Sequence, residues 1–120
     1  MKSILLVDDE EDLVETGKMF LEDAGYEVDT AKDGLEAMEK VYEKKYGLIL
    51  LDITIPEMDG YQVCRMLKND PSYKDIPVVM LTAKTLKADK FRGMETGADE
   101  YLTKPYTPDE LISAVRSFIG

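Results

Sequence analysis

The chain has 120 residues, no histidine and a single cysteine, Cys64. That excludes imidazole catalysis, imidazole metal ligands and multi-cysteine zinc sites. Carboxylates, hydroxyls and lysines are left to do chemistry. Five consecutive acids, Asp8 to Asp12, follow the aliphatic run Ile4-Leu5-Leu6-Val7. Asp52 follows Leu48-Ile49-Leu50-Leu51, Thr82 follows Val78-Val79-Met80-Leu81, and Lys104 follows the mixed stretch Glu100–Thr103. If these residues converge, the carboxylates repel, at roughly 4 kcal/mol for two unit charges 4 Å apart in an effective dielectric of 20. Shared protons or a bound cation relieve that repulsion, and hard oxygen ligands of this kind suit Mg²⁺. Carboxylates, a divalent cation, a hydroxyl donor and a lysine are the parts that position and neutralise a transferring phosphoryl group.

The elements that would hold them are legible from periodicity. The three aliphatic runs are apolar on both faces, as strands inside a parallel sheet are. Glu27–Ala31 and Glu100–Thr103 read as weaker strands nearer the sheet edges. Amphipathic stretches lie between the strands. Glu11–Ala24 turns Leu13, Val14, Gly17, Phe20, Leu21 and Ala24 to one side and stops at Gly25. Asp33 opens a second helix with Leu35, Met38, Val41 and Tyr42 expected inward. Tyr61–Lys68 and Lys87–Thr96 form a third and a fourth, with Cys64 an inert thiol in the third. A capping box with proline at the first helical position, Thr107-Pro108-Asp109-Glu110, opens the last, which buries Leu111, Ile112, Val115 and Ile119. Strand and helix alternate five times. This predicts an α/β domain over residues 1–120, a flavodoxin-like (βα)5 three-layer sandwich with parallel strand order 2-1-3-4-5. Ligands in such folds sit at the carboxyl ends of the strands, where Asp8, Asp52, Thr82 and Lys104 fall.

Composition narrows the function classes. Against 15 Lys and Arg there are 25 Asp and Glu, a formal net charge of −10 that argues against direct nucleic-acid binding. No run is long enough for a transmembrane helix, and the N-terminus turns acidic too early for a signal peptide, so a cytoplasmic location is expected. A flavodoxin-type FMN carrier needs a Ser/Thr/Gly-rich phosphate cradle where this chain has five acids. An aspartyl-phosphate hydrolase of the haloacid dehalogenase type needs two aspartates separated by one residue after strand 1, and a cap.

The motifs VDDE, LLDITIPEMDGY, LTAK and YLTKPY, in this order and spacing, closely resemble the receiver domain of bacterial two-component response regulators, the CheY-like chemotaxis type. The resemblance covers the whole chain. It implies that Asp52 is the phosphoacceptor, taking a phosphoryl group from a phosphohistidine on a histidine kinase or phosphotransfer protein to form an aspartyl phosphate. It further implies that Asp9 is the main carboxylate ligand of Mg²⁺ (or Mn²⁺), with Asp8 beside it, Asp52 in the set, and Thr54 giving a backbone carbonyl. Lys104 would pair with the phosphoryl oxygens and Thr82 would hydrogen-bond one of them. Tyr101 matches the aromatic whose rotamer follows Thr82, and the Lys104–Pro105 bond is often cis in the family. Beyond accepting the phosphate and slowly hydrolysing it, no enzyme activity is expected. Ile55, Tyr106 and Gly47 depart from common family choices, while Thr54 and Lys84 occupy positions that tune hydrolysis.

On this reading phosphorylation shifts a pre-existing equilibrium at the face made by the fourth helix, fifth strand and fifth helix. Lys87, Lys90, Phe91, Met94, Tyr101 and Tyr106 belong to that face. It would meet a downstream output protein or domain, or a second copy in a phosphorylation-dependent homodimer.

Overall fold

The structure, a computed structural model, describes residues 2–55, 57–83 and 97–120. The helix expected over Lys87–Thr96 lies outside the described residues, together with Lys84, Lys87, Lys90, Phe91 and Met94. Strands β1 (Ser3–Val7), β2 (Glu27–Ala31), β3 (Leu48–Asp52), β4 (Val78–Ala83) and β5 (Glu100–Lys104) form one parallel sheet of order β2-β1-β3-β4-β5. The described helices are α1 (Glu11–Asp23), α2 (Gly34–Glu43), α3 (Gly60–Lys68) and the C-terminal α4 (Pro108–Ile119). Among these helices none is long and apolar enough to cross a membrane.

Strand side chains alternate between the two faces, and both faces are covered. Leu5, Val7, Ile49, Leu51, Val78 and Met80 join Ala37, Met38 and Val41 of α2 and Val63, Cys64 and Leu67 of α3 in one core. Ile4, Leu6, Leu48, Leu50, Val79 and Leu81 join Leu21 of α1 and Leu111 and Val115 of α4 in the other. The continuous aliphatic runs are therefore two interleaved cores read along one backbone.

Local signals set the helix ends. Gly25, with φ of +101°, follows α1 in the left-handed region glycine favours. The Glu36 N–H donates to Asp33 Oδ1 at 2.8 Å, and Thr107 and Glu110 form the reciprocal capping box. A second capping box, Asp59 with Gln62, opens α3. At the edge strand β2, Tyr46 donates to Asp29 at 2.8 Å and Lys44 bonds both Glu27 and Asp29. Between α3, β4 and β5, Lys68 Nζ donates to the carbonyls of Lys74 and Ile76 and to Asp99, while Val78 N–H donates to the same carboxylate.

Two residues expected inward are not. Leu35 is 48% exposed and Tyr42 59% exposed. The buried stripe of α2 is Gly34, Ala37, Met38 and Val41; at 100° per residue, Leu35 and Tyr42 fall on its flank. Tyr42 packs instead on Tyr73, ring centroids 5.7 Å apart.

Gly60 lies against the end of β3. A Cβ there would overlap the Asp52 carbonyl oxygen and approach Ile53 Cα to 2.8 Å, both backbone atoms that cannot rotate away. We expect Gly60→Ala to cost about 1–3 kcal/mol of stability, read as a lowered urea midpoint with an unchanged denaturant slope.

Candidate functional site

β3, β4 and β5 run past their apolar cores to end on Asp52, Ala83 and Lys104, and Asp8 follows β1 directly. Tyrosines and Cys64 apart, the buried polar or charged side chains among the described residues are Asp8, Asp52 and Thr82. All three stand at the carboxyl ends of the adjacent strands β1, β3 and β4. Burial of two acids against one hydroxyl is unusual enough to mark the site.

Lys104 holds the acids together. Its Nζ donates to Asp8 Oδ2 at 2.8 Å and to Asp52 Oδ2 at 2.9 Å, with Glu10 Oε1 further away at 3.5 Å. The Thr54 N–H donates to Asp52 Oδ1 at 3.1 Å, and its hydroxyl stands 3.4 Å from the same oxygen. Asp8 Oδ1 accepts from the Glu10 N–H at 3.0 Å, so this carboxylate is held from both sides. The Lys104–Pro105 peptide bond is cis.

Carboxylate oxygens of Asp8, Glu10 and Asp52 lie within 4.8 Å of one another, a hard, oxygen-only donor set that fits a divalent cation such as Mg²⁺. Asp9 is exposed and stands outside this trio; with Asp8, Glu11, Glu15, Asp33 and Glu36 it lines a hollow between α1 and α2. Glu10 is the site neighbour that sequence reasoning passed over. Its one signal was a glutamate at a helix N-cap, where Ser, Thr, Asp or Asn is the usual choice.

Tyr101 faces Met80 across the β4–β5 register and packs against the core that contains Cys64. Among the described residues its hydroxyl is buried without a hydrogen-bond partner, as are those of Tyr26 and Tyr106. Burial, then the nearby Cys64 and Glu100, push the Tyr101 phenol up.

Burial also pushes the Asp52 carboxyl up, to about 6; the Asp8 charge adds to this, and Lys104 and the Thr54 N–H oppose it. Burial disfavours the Lys104 ammonium, but bonds to Asp8 and Asp52 outweigh it and raise its pKa. The folded protein thus holds the Asp52 proton more tightly than the unfolded chain, whose carboxyl titrates near 3.8. Stability contributed by Asp52 falls as pH rises from 3.8 to about 6, and the full penalty stands above that. Asp52→Asn should therefore stabilise the Mg²⁺-free protein by about 1 kcal/mol at pH 7.5, solvent screening included. The gain should shrink toward zero by pH 4, as thermal melts across that range would record.

The family profile of the response regulator receiver domain matches residues 4–116. The chain is 44% identical over 118 residues to the alkaline phosphatase synthesis transcriptional regulatory protein PhoP of Bacillus subtilis, covering 98% of this chain and 48% of that protein. It spans about half the length of most of the curated relatives it matches. The chemotaxis response regulator CheY4 of Vibrio cholerae superposes with a TM-score of 0.93 at 34% identity, covering 98% of each chain. The receiver domain of a Pseudomonas aeruginosa sensor histidine kinase, solved with a magnesium ion coordinated in its active-site cleft, gives 0.91 at 30% identity over 99% of this chain and 98% of that one. An acid-lined pocket at the strand ends of a 2-1-3-4-5 sheet, together with these likenesses, places the chain among the receiver domains of two-component response regulators, phosphoacceptor modules of signal transduction.

Proposed function

We propose that Asp52 is the phosphoacceptor, and that it receives its phosphoryl group from a phosphohistidine on a histidine kinase or phosphotransfer protein. The observation that carries this is the single ammonium of Lys104 within 2.9 Å of both Asp8 and Asp52, two carboxylates that are otherwise walled off from solvent. The whole of residues 1–120 serves as the receiver domain.

Asp8, Asp9 and Asp52, with the Thr54 carbonyl, are the proposed holders of Mg²⁺, and Glu10 stands at the rim of the same cluster. When bound, that ion supplies positive charge against the carboxylates and the phosphoryl oxygens. Asp52 offers the attacking oxygen, with Oδ1 held by the Thr54 N–H. Lys104, its charge secured by the acids, shifts from carboxylate to phosphoryl oxygen, and the buried Thr82 hydroxyl hydrogen-bonds another. The phosphate adds roughly two negative charges at one point. Thr82 then moves toward it and Tyr101 occupies the space released, which alters the face carried by β5 and α4. That face meets a downstream output protein or domain, or a second copy of the chain. Slow hydrolysis in the same site resets it. A cytoplasmic location accords with this exchange.

Incubation with Mg²⁺ and acetyl phosphate should add one phosphate by intact mass, and none to Asp52→Asn or in the presence of a chelator. Phosphate on Asp52→Asn would overturn the assignment. Tyr101→Ala should still accept phosphate within about threefold of the parent rate, yet lose the phosphorylation-dependent NMR shifts of β5 and α4 amides. If those shifts persist, the switch is wrong while the acceptor stands.

A further inference from the structure

We propose that Glu10 selects among phosphodonors, its rim carboxylate opposing small donors that carry more than one negative charge. This rests on the reading of Asp52 as acceptor. Glu10 is the N-cap of α1, where a side chain ordinarily bonds first-turn N–H groups, and that of Glu10 makes no such bond. The carboxylate lies over the site instead, with an oxygen 3.5 Å from Lys104 Nζ and within 4.8 Å of oxygens of Asp8 and Asp52.

Its exposure differs from that of its neighbours. The Glu10 side chain is 61% exposed, whereas those of Asp8 and Asp52 are 1% and 4% exposed. Glu10 is therefore the outermost of the three acids, met first by a molecule entering from solvent. Lys104 is already engaged at 2.8 and 2.9 Å by the buried pair, which leaves the Glu10 charge poorly cancelled. One cation among three carboxylates keeps the mouth negative. A divalent cation gains from that field, and an anionic donor is opposed in proportion to its charge.

Two small donors separate this effect from the transfer chemistry. In both, an Asp52 carboxylate oxygen forms the new bond to phosphorus while the bond to the leaving group breaks. Acetate departs from acetyl phosphate with the electron pair; ammonia departs from phosphoramidate, whose nitrogen carries the needed proton. At pH 7 acetyl phosphate is a dianion and phosphoramidate a monoanion, so Glu10 should oppose the first more than the second.

The test compares phosphorylation rates of the full chain, Glu10→Gln and Glu10→Asp with each donor at saturating Mg²⁺ and pH 7. Glu10→Gln should speed transfer from acetyl phosphate about threefold to tenfold at low ionic strength and from phosphoramidate less than about twofold. The acetyl phosphate gain should fade at about 0.5 M KCl. Glu10→Asp, which keeps the charge, should keep the parent's donor ratio. Equal acceleration of both donors, no change, or slower transfer from both would each overturn the proposal. If Asp52→Asn accepted phosphate, the acceptor reading itself would fail. An unchanged donor ratio in Glu10→Gln beside an inert Asp52→Asn would sink only the role given to Glu10.

Discussion

One ammonium bridging two buried carboxylates is the interaction on which this molecule turns. Asp8 and Asp52 close adjacent strands and are almost wholly removed from water, so their mutual repulsion is little screened. Lys104 comes from the edge strand β5 and reaches past the end of β4 to touch both. Two acids against one cation leave an excess negative charge; burial above all, with the Asp8 charge adding to it, raises the pKa of Asp52. That imbalance is what gives a divalent cation a reason to bind here.

Such a site needs rigid support, because a shift of a few tenths of an ångström would change which oxygen Lys104 meets. β3 supplies it, fully buried over all five of its residues and flanked on both sides by paired strands. Gly60 lets the start of α3 press directly on the Asp52–Ile53 backbone, and the Gly60 N–H donates to the Ile53 carbonyl at 2.9 Å. Asp52 is thereby fixed from strand, helix and loop at once. Tyr101 is held differently, half-buried on an edge strand, with no partner for its hydroxyl among the described residues.

Charge is distributed in keeping with this division. The chain carries ten excess negative charges, and the acids after β1 concentrate part of that excess where the strands end. Elsewhere the lysines serve architecture: Lys44 secures β2, and Lys68 gathers the loop before β4 and the start of β5 around Asp99. These contacts join segments far apart in the chain, and no local pattern announces them.

The fold was readable in advance because its signals are short-ranged. Aliphatic runs between amphipathic stretches, the Thr107–Glu110 box and the residues just past each strand required no knowledge of distant contacts, and the family motifs lay in register upon them. Burial on helix flanks was not readable, since Leu35 and Tyr42 are apolar at helical spacing and only the seating angle of α2 decides that they face outward. Nor was the ranking of the acids. Five in a row are indistinguishable by composition, but the turn into α1 buries Asp8, leaves Asp9 exposed in a hollow that Asp8 also lines and sets Glu10 at the rim. Residue type and spacing determined which groups could react; the packing of helix on sheet decided which of them meet, because contact depends on direction in space and spacing along a chain does not specify it.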